Sequence, residues 1–422
     1  MSDRRGGKAL HGSGHRPAGL ERQGLRSPAE GGQNHRRSGR QGANRARGLG
    51  RGDAIPLPGQ GKAVNSPQSR YLLALSLLPS LRGCLSVLLA QGAVPEDLFG
   101  CSTRELVQRW GLAGERAERV ARERDGVDPD WEAERVATAG AGYSTLLDEA
   151  YPERLRRTPS PPPVLYSLGE EVTGPAVAVV GARKPSSYGL SVAEKLASEL
   201  ASCGVVVVSG FALGIDVTAH RACLDAGGKT IAVLGSGVDV WYPRRHAAVG
   251  KRLVERGCFI SELPLGTQPL PFHFPLRNRI ISGMSLATVV VEADLNSGSL
   301  YTADFALAQG REVLAVPGSI YSPTCRGTNS LLVDGAWPVR SAEDVFDAIG
   351  LEPPHQAVQR KERLSERERA VSDVFDGEPL TIEEVVQRAR RPAGEVAVVL
   401  TLLELKGLLR RGLDQRYMIM RT

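Results

Sequence analysis

Short apolar runs alternate with amphipathic stretches between residues 176 and 316. The runs are rich in β-branched residues, which is typical of strands buried on both faces of a sheet. Strands are predicted at Ala176–Val180, Val205–Val208, Thr230–Leu234, Cys258–Ser261, Thr288–Val291 and Glu312–Val316. Helices are predicted between them, among others at Gly189–Ser202, Gly214–Ala226 and Leu300–Gln309. This alternation predicts an α/β domain, over residues 141–350, with a parallel sheet covered by helices on both faces.

Residues 67–140 have helical periodicity instead, in segments that glycine and proline separate. The segments are Tyr71–Leu78, Cys84–Gln91, Ser102–Trp110 and Gly114–Arg124. They predict a small all-α module similar to SAM or helix-hairpin-helix units. Such modules hold nucleic-acid backbones in some proteins and are packing or interaction units in others, and both roles stay open. The pair Tyr151-Pro152 and the proline-rich run Thr158–Pro163 predict a linker after the module.

The last part of the chain, residues 365–422, follows a polar linker at residues 351–364. Ser365 with Glu368, and Thr381 with Glu384, have the spacing of capping boxes and mark the starts of two helices. A third helix and the two strands of a hairpin are predicted at 393–406, 408–411 and 416–420. Three helices followed by a hairpin form the winged-helix pattern.

The basic charge of the chain is concentrated near its N-terminus. Residues 1–66 contain 13 Lys+Arg and 4 Asp+Glu, whereas the remainder contains 40 and 43. The first 66 residues have almost no large apolar side chains to offset the entropy of ordering, so we predict a disordered basic tail. It is an upstream over-read of the true start, a tether for nucleic acid or a transit peptide. The remainder is slightly acidic, so any nucleic acid must bind at a local basic site.

Composition also bears on the compartment. No apolar run reaches the roughly 18 residues needed to span a bilayer, and the basic N-terminus lacks the apolar segment of a secretory signal. The six cysteines are far apart and form no CxxC pair, which favours reduced, structural thiols. We therefore expect a cytoplasmic protein without a membrane segment.

Loops of small residues follow the central strands, at the edge where ligands bind parallel sheets. Glycines let a ligand approach the backbone, and the helices after them present free N–H groups to phosphate. Tight turns alone would explain one such loop, but several loops beside arginines predict a phosphate-binding site. The candidate DNA-binding residues are Arg183, Ser209, Gly210, Gly235, Ser236, Gly237, Phe274, Arg277, Asn278, Arg279, Ser297, Gly298, Ser299 and Arg311.

The glycine loops do not match a dinucleotide site. After the first strand, Arg183 stands where the second glycine of Gly-x-Gly-x-x-Gly is required. After the third strand, Val240 stands where the third glycine is required. A Walker A lysine pattern and a nucleophile–base pair at recognisable spacing are also missing. We expect no cofactor and no catalytic residue in this domain.

Two pairs of polar residues have alternative interpretations. Asp216 and His220 are four residues apart on a predicted helix and could chelate a metal. No third ligand has supporting spacing, which favours a capping or packing role for Asp216, a hydrogen-bonded His220 and no metal site. Glu262 and Glu292 both follow strands and could act as paired carboxylates. Orienting neighbouring arginines is the favoured role for them.

Four aromatic residues lie in predicted loops at the same sheet edge: Trp241, Tyr242, Phe272 and Phe274. Packing is the favoured role for each one taken singly. One of them can stack on a base, which typically contributes roughly 1–3 kcal/mol, and Phe274 is the preferred candidate.

Seven motifs occur in the order found in the bacterial DprA/Smf family (DNA-processing protein A). They are Gly181–Arg183, Ser209–Asp216, Tyr242-Pro243, Phe274–Ile281, Ser297–Ala303, Ala315–Gly318 and Gly327–Asn329. The chain resembles this family over residues 143–350, and its two end modules are similar to variants of that architecture. The resemblance implies an extended Rossmann-like domain that binds single-stranded DNA, forms a homodimer and loads RecA recombinase during transformation. Arg244-Arg245-His246 departs from the family, which often has Asn in this loop, and residues 1–66 have no counterpart.

The leading hypothesis is a non-enzymatic, single-strand DNA-binding recombination mediator with RecA as its partner. The alternative is a nucleotide-processing hydrolase on a related Rossmann-like fold, similar to cytokinin-activating phosphoribohydrolases. Those enzymes carry a Pro-Gly-Gly-x-Gly-Thr loop, which the segment Glu292–Gly298 lacks. A winged-helix regulator of duplex DNA is a third possibility. Binding to oligo-dT, compared with duplex DNA and mononucleotides, distinguishes the three.

Overall fold

The computed structural model describes residues 66–352, 364–375, 380–405, 408–411 and 415–419. The predicted disordered tail, residues 1–66, lies outside these ranges except for Ser66, and so does most of the predicted linker 351–364. Within the described ranges, no helix is both long enough and apolar enough to cross a membrane.

Short helices form the N-terminal module, as the sequence predicts. They are α1 (Pro67–Leu77), α2 (Leu85–Ala90), α3 (Pro95–Gly100), α4 (Thr103–Gln108), α5 (Gly114–Arg124) and α6 (Pro129–Thr138). Three of them begin with proline, whose fixed φ suits the first helical position and whose missing N–H is not needed there. Gly92 and Gly111 turn the chain between helices with positive φ, which glycine adopts without strain.

A nine-stranded sheet forms the centre of the fold. Its strands are β1 (Gly142–Thr145), β2 (Val164–Gly169), β3 (Ala176–Val180), β4 (Val206–Ser209), β5 (Thr230–Val233), β6 (Gly257–Ser261), β7 (Ala287–Val290), β8 (Glu312–Ala315) and β9 (Trp337–Pro338). Their order across the sheet is β1-β2-β6-β5-β4-β3-β7-β8-β9. The strands from β3 to β9 pair in parallel, whereas β1 and β2 add antiparallel strands beside β6. The order in which the chain adds strands to the sheet reverses between β3 and β7. A crevice therefore opens at the carboxyl ends of these two strands.

Helices cover both faces of this sheet. They are α7 (Glu153–Arg156), α8 (Ser187–Ser202), α9 (Ile215–Asp225), α10 (Ala247–Arg256), α11 (His273–Met284), α12 (Leu300–Ala308), α13 (Arg326–Val333) and α14 (Ala342–Ile349). One face packs on α11 and α12 through residues such as Ile280 and Ala303. The other face packs on α8, α9 and α14 through residues such as Leu196 and Phe346. The predicted α/β class and its parallel sheet are confirmed.

The helical module shares a hydrophobic core with one end of the sheet. Leu72 and Leu75 of α1 belong to the same buried cluster as Tyr166 of β2 and Phe259 of β6. Within the sheet, Gly169 of β2 lies so close to Gly257 of β6 that a Cβ on Gly169 would be 2.4 Å from the Gly257 carbonyl oxygen. The module is therefore packed onto the sheet through a continuous core.

The proline-rich run is not the linker that its composition predicts. Tyr151 is buried, and its hydroxyl donates a hydrogen bond to the carbonyl of Pro162 at 2.8 Å. The run leads directly into β2, which pairs with β1 on one side and β6 on the other. Extended proline-rich backbone carries no hydrophobic period, so no sequence pattern indicates that tertiary packing fixes it.

The C-terminal module is a winged helix, as predicted. Its elements are α15 (Glu366–Ser372), α16 (Ile382–Ala389), α17 (Ala393–Leu405), β10 (Leu409–Arg411) and β11 (Tyr417–Ile419). Both predicted capping boxes are present, at Ser365 with Glu368 and at Thr381 with Glu384. The hydrophobic core of this module is a separate cluster, which includes Leu400.

Candidate nucleic-acid interface

A cavity of about 510 Å³ lies at the carboxyl ends of β3 and β7, where the strand order reverses. The loop after β3, residues 181–184, and the loop after β7, residues 294–299, line it together with the first turns of α11. Open α/β sheets bind their ligands at this position. Half of the candidate residues meet here: Arg183, Phe274, Arg277, Asn278, Ser297, Gly298 and Ser299.

The loop after β3 supplies exposed positive charge. Arg183 and Lys184 are both exposed and both line the cavity. The guanidinium carbon of Arg183 lies 5.5 Å from the centroid of the Phe274 ring, within reach of a cation–π contact. Arginine donates hydrogen bonds in a planar fork that matches phosphate. The rim of the cavity therefore combines an aromatic face with groups that attract phosphate.

Glu292, which follows β7 after one intervening residue, holds this loop in place. The side chain is fully buried, and its carboxylate accepts hydrogen bonds from the Ser186 backbone N–H at 2.8 Å and the Ser186 hydroxyl at 2.5 Å. The Thr324 hydroxyl donates to the same carboxylate at 3.2 Å. Gly189 leaves room for it, since a Cβ at that position would lie 2.4 Å from the carboxylate. The prediction that Glu292 orients an arginine is wrong. Glu292 joins the loops after β3 and β8 instead.

Helix α11 separates the two arginines of the segment that precedes β7. Residues two apart on a helix point in different directions. Arg277 is 4% exposed and donates from its guanidinium to the carbonyl of Gly210 at 2.6 Å and to that of Val233. Arg279 lies outside the cavity lining and forms an ion pair with Glu262, the role expected for that carboxylate. Only Arg277 therefore reaches the cavity, and its donors are largely occupied.

Asp216 compensates the buried charge of Arg277. It lies in the first turn of α9 and accepts hydrogen bonds from the N–H groups of Gly210 at 3.1 Å and Ala212 at 3.4 Å. Burial lowers the pKa of Arg277 to about 10, and the Asp216 charge opposes this shift. Burial also raises the pKa of Asp216 from its usual value, against the Arg277 charge and the two N–H donors. The pair forms a charged floor beneath the cavity.

Gly210 is the position that allows this floor to form. A Cβ there would lie 2.6 Å from a terminal nitrogen of Arg277 and 2.7 Å from the Asp216 carboxylate. Any side chain would push the two charged groups apart. The glycine therefore serves the close approach of protein groups, and its N–H is already bonded to Asp216.

The loop after β7 forms the polar wall of the cavity. The hydroxyls of Ser297 and Ser299 are 2.8 Å apart, and the Asn278 side-chain amide donates to the Gly298 carbonyl at 3.1 Å. Gly298 is exposed, and a Cβ there would meet no atom within 4 Å. Helix α12 begins at Leu300, so its positive end faces the cavity.

The other small residues of the predicted set form hydrogen bonds or close contacts within the protein. Ser209 donates to the Val179 carbonyl at 2.6 Å, and Ser236 donates to the Val240 carbonyl at 2.7 Å. The Gly237 N–H is bonded to the Thr267 carbonyl at 2.9 Å. A Cβ on Gly235 would lie 2.9 Å from the Phe274 ring. These side chains and N–H groups are thus engaged within the protein.

Arg311 lies at the end of the sheet opposite the cavity, where β8 begins. It directly precedes β8, whose carboxyl end is the edge that carries the cavity. Its guanidinium donates to the Arg154 carbonyl at 3.0 Å. Burial, followed by the charges of Arg154 and Arg157, lowers its pKa. Arg311 therefore does not line the cavity with the other candidates, because proximity in sequence to a strand does not say which end of the strand a residue occupies.

His220 is buried and hydrogen-bonded, as predicted. The Thr230 hydroxyl donates to the Val207 carbonyl at 2.6 Å, so it accepts from Nδ1 of His220 at 2.7 Å. Nε2 is buried without a hydrogen-bond partner, and burial lowers the pKa of His220 to about 3. Among the described residues, no group of three or more His, Cys, Asp or Glu side chains could hold a metal ion.

Lys184 and Thr324 are two of the cavity residues that the sequence interpretation missed. Lys184 follows Arg183 directly and could have been found from that position alone. Thr324 lies in the loop after β8, far along the chain from Arg183, and reaches the cavity because its hydroxyl bonds to the buried Glu292 carboxylate. Long-range contacts of this kind leave no local sequence signal.

Fold and cavity together define a class: α/β proteins with an extended Rossmann-like sheet, a cavity at the reversal of strand order and a C-terminal winged helix. Residues 142–350 match the family described as DNA recombination-mediator protein A, and residues 344–414 match the DprA winged helix domain. The chain is 41% identical over 226 residues to DNA processing protein DprA of Bacillus subtilis, covering 53% of this chain and 75% of the relative. The chain belongs to the DprA/Smf family of DNA recombination mediators.

Another relative and a solved structure agree with this assignment. Protein Smf of Escherichia coli is 40% identical over 271 residues, covering 61% of this chain and 72% of the relative. The X-ray structure of DprA from Streptococcus pneumoniae superposes with a TM-score of 0.58 at 33% identity, covering 67% of this chain and 98% of that chain.

Proposed function

We propose that this recombination mediator binds single-stranded DNA in the cavity between the β3 and β7 loops. The observation that carries the proposal is the convergence of Arg183, Lys184 and the amino end of α12 beside the Phe274 ring. Basic side chains and helix N-termini attract the phosphates, and an aromatic face stacks only on a base that is not paired. Since hydrogen-bonding side chains for base edges are few, binding is expected to be indifferent to sequence.

The wider role that we propose is the handling of incoming DNA during natural transformation. The protein, as a cytoplasmic homodimer, protects the single strand and loads RecA recombinase onto it. The family description as a recombination mediator supports this role. The decisive measurement is RecA filament assembly on single-stranded DNA with and without the protein. An unchanged assembly rate would remove RecA loading from the proposal and leave the binding site untouched.

The binding proposal is tested by titrating the protein with oligo-dT, a duplex of the same length and thymidine monophosphate. We expect the oligonucleotide to bind far more tightly than the other two, with a strong dependence on salt. A random single strand should bind nearly as well. Equal affinity for the mononucleotide, or preference for one sequence motif, would contradict the proposal.

Nucleotide hydrolysis is the outcome that would favour a different function. In the described structure, Glu292 is buried and occupied by hydroxyl and N–H donors that hold two loops together. We expect no turnover of nucleoside monophosphates. Hydrolysis that disappears in a folded Glu292→Gln variant would identify a hydrolase of related fold.

A further inference from the structure

Arg311 lacks the counter-charge that other partly buried arginines of the central domain have. Arg279, for example, forms an ion pair with Glu262. Within the described part of the chain, Arg311 forms no ion pair. Its Nε is buried without a hydrogen-bond partner, and a terminal nitrogen donates to the Arg154 carbonyl at 3.0 Å. A guanidinium that is withdrawn from water without a carboxylate is costly, so this position favours an anion from outside the chain.

The charges that act on Arg311 are positive. Arg154 lies on α7 and Arg157 caps the end of this helix, three residues further on, where side chains share one face. Burial, followed by the charges of these two arginines, lowers the pKa of Arg311. The Glu153 carboxylate pairs with Arg157 at 2.9 Å and with Arg156 at 3.0 Å. One carboxylate is thus shared among several arginines, and the cluster keeps a net positive charge.

The helix that carries these arginines is fixed to the rest of the domain. Leu155 of α7 is fully buried, and a Cβ on Gly283 of α11 would lie 2.7 Å from its side chain. The Thr158 hydroxyl donates to the Leu155 carbonyl at 2.7 Å. The Arg156 guanidinium donates to the Asp148 carbonyl at 2.6 Å. Because the backbone of α7 is held in place, little conformational entropy is lost there when a ligand binds.

The chemistry of this cluster fits the backbone of duplex DNA. Guanidiniums donate hydrogen bonds in a planar fork that matches phosphate. The segments 153–158 and 307–312 contain no aromatic residue on which an unpaired base could stack. Duplex DNA presents a dense row of phosphate charges and keeps its bases stacked inside. It therefore fits this surface better than a single strand does.

We propose that Arg154, Arg157 and Arg311 form a second DNA-binding site, which holds the backbone of duplex DNA. Arg311 directly precedes β8, whereas the cavity lies at the carboxyl ends of β3 and β7, so the two sites are at opposite ends of the sheet. The guanidiniums contact neighbouring phosphates, and no base is read. The duplex is held more weakly than the single strand in the cavity, because stacking contributes nothing. One protein thereby holds both forms of DNA at once, which goes beyond the function proposed above.

The first test asks whether the two forms of DNA bind together. The protein is saturated with unlabelled oligo-dT, and a labelled duplex of mixed sequence is titrated by fluorescence anisotropy at low salt, where phosphate contacts are strongest. We expect the duplex to bind the saturated protein as well as it binds the free protein. Full competition between the two would place the duplex in the cavity and overturn the second site.

The triple variant Arg154→Gln, Arg157→Gln and Arg311→Gln removes the charge of the cluster. Its affinity for the duplex should fall about tenfold, and the slope of log affinity against log salt should decrease by about 0.9 for each phosphate that is no longer neutralised. Its affinity for oligo-dT should not change. Arg256→Gln is the matched control, because Arg256 is exposed and ends α10 just before β6, at the same end of the sheet. Unchanged duplex affinity in the triple variant, or an equal loss in the control, would overturn the proposal.

Glu153→Gln tests the sign of the effect without removing an arginine. The change keeps the shape of the side chain and releases Arg156 and Arg157 from their carboxylate. Duplex affinity should therefore rise, most clearly at low salt. Unchanged or lower affinity in a folded Glu153→Gln protein would contradict a phosphate site. If the wild type binds oligo-dT but no duplex at low salt, the second site fails and cavity binding stands. If it binds the duplex but no oligo-dT, the function proposed above fails and the second site stands.

Discussion

The cavity at the sheet edge and the third helix of the winged helix, α17, are both places where DNA-binding proteins of these folds contact nucleic acid. The cavity carries exposed Arg183 and Lys184 above a buried arginine. Helix α17 has no basic residue between Ala393 and Leu405, and its exposed side chains include Val398 and Leu402. A helix that enters the major groove needs hydrogen-bond donors for phosphates and base edges. The fold of a module therefore does not assign its ligand, whereas the chemistry of its exposed face does.

The two regions also differ in how their charges are paired. Beneath the cavity, Asp216 and Arg277 interact as opposite charges, and both are almost fully withdrawn from water. In the winged helix, Glu395 pairs with Arg391 at 3.0 Å while both side chains remain partly exposed. Buried pairs resist the loss of one partner strongly because an uncompensated charge is left behind. Exposed pairs contribute little.

The largest expected effect follows from this contrast. Asp216→Ala should lower the free energy of unfolding by about 3–5 kcal/mol, because Arg277 stays buried without its counter-charge. Glu395→Ala, the matched control, should change it by about 0–1 kcal/mol. The measurement is urea denaturation followed by tryptophan fluorescence and by circular dichroism.

Tryptophan fluorescence separates the two modules in this experiment. All four tryptophans precede residue 338, so the winged helix contributes none to the signal. Asp216→Ala should shift the fluorescence transition, whereas Glu395→Ala should shift only the part of the dichroism that fluorescence does not follow. Equal small shifts for the two variants would show that the charge beneath the cavity is not buried in solution.

A smaller effect is expected on binding. Arg183→Ala should weaken oligo-dT binding about tenfold, since it removes a phosphate contact and the cation–π partner of Phe274, and it should flatten the salt dependence. Arg367→Ala in the winged helix is the control, because this side chain is 74% exposed and lies outside the cavity. Arg279→Ala should also bind normally, since Arg279 pairs with Glu262. Weaker binding by Arg279→Ala but not by Arg183→Ala would place the DNA path on the Glu262 side of α11.

Arg277 and Arg279 also show what the sequence could and could not predict. Apolar β-branched runs identified six of the sheet strands, because burial on both faces leaves a continuous hydrophobic signal. The segment 273–284 has no strong amphipathic period, so no helix is predicted there and both arginines are assigned to one edge. Once the helix is known, their spacing places them on different sides. Glu292 has no local signal for its role, because its partners Ser186 and Thr324 come from distant parts of the chain.

The smallest effect concerns the winged helix as a whole. Removing residues 360–422 should leave the affinity for oligo-dT unchanged, because the cavity belongs entirely to the central domain. The cut falls between Leu351, which packs on the central core, and Leu364, which packs within the winged helix, so the central core keeps all its members. Among the basic side chains of the module, Arg411 lies over the Tyr417 ring and Arg416 pairs with Glu384. The deletion can remove affinity for duplex regions or a contact with a protein partner. A truncated protein that keeps its tryptophan transition but no longer binds oligo-dT would place the main site in the winged helix and reverse the comparison.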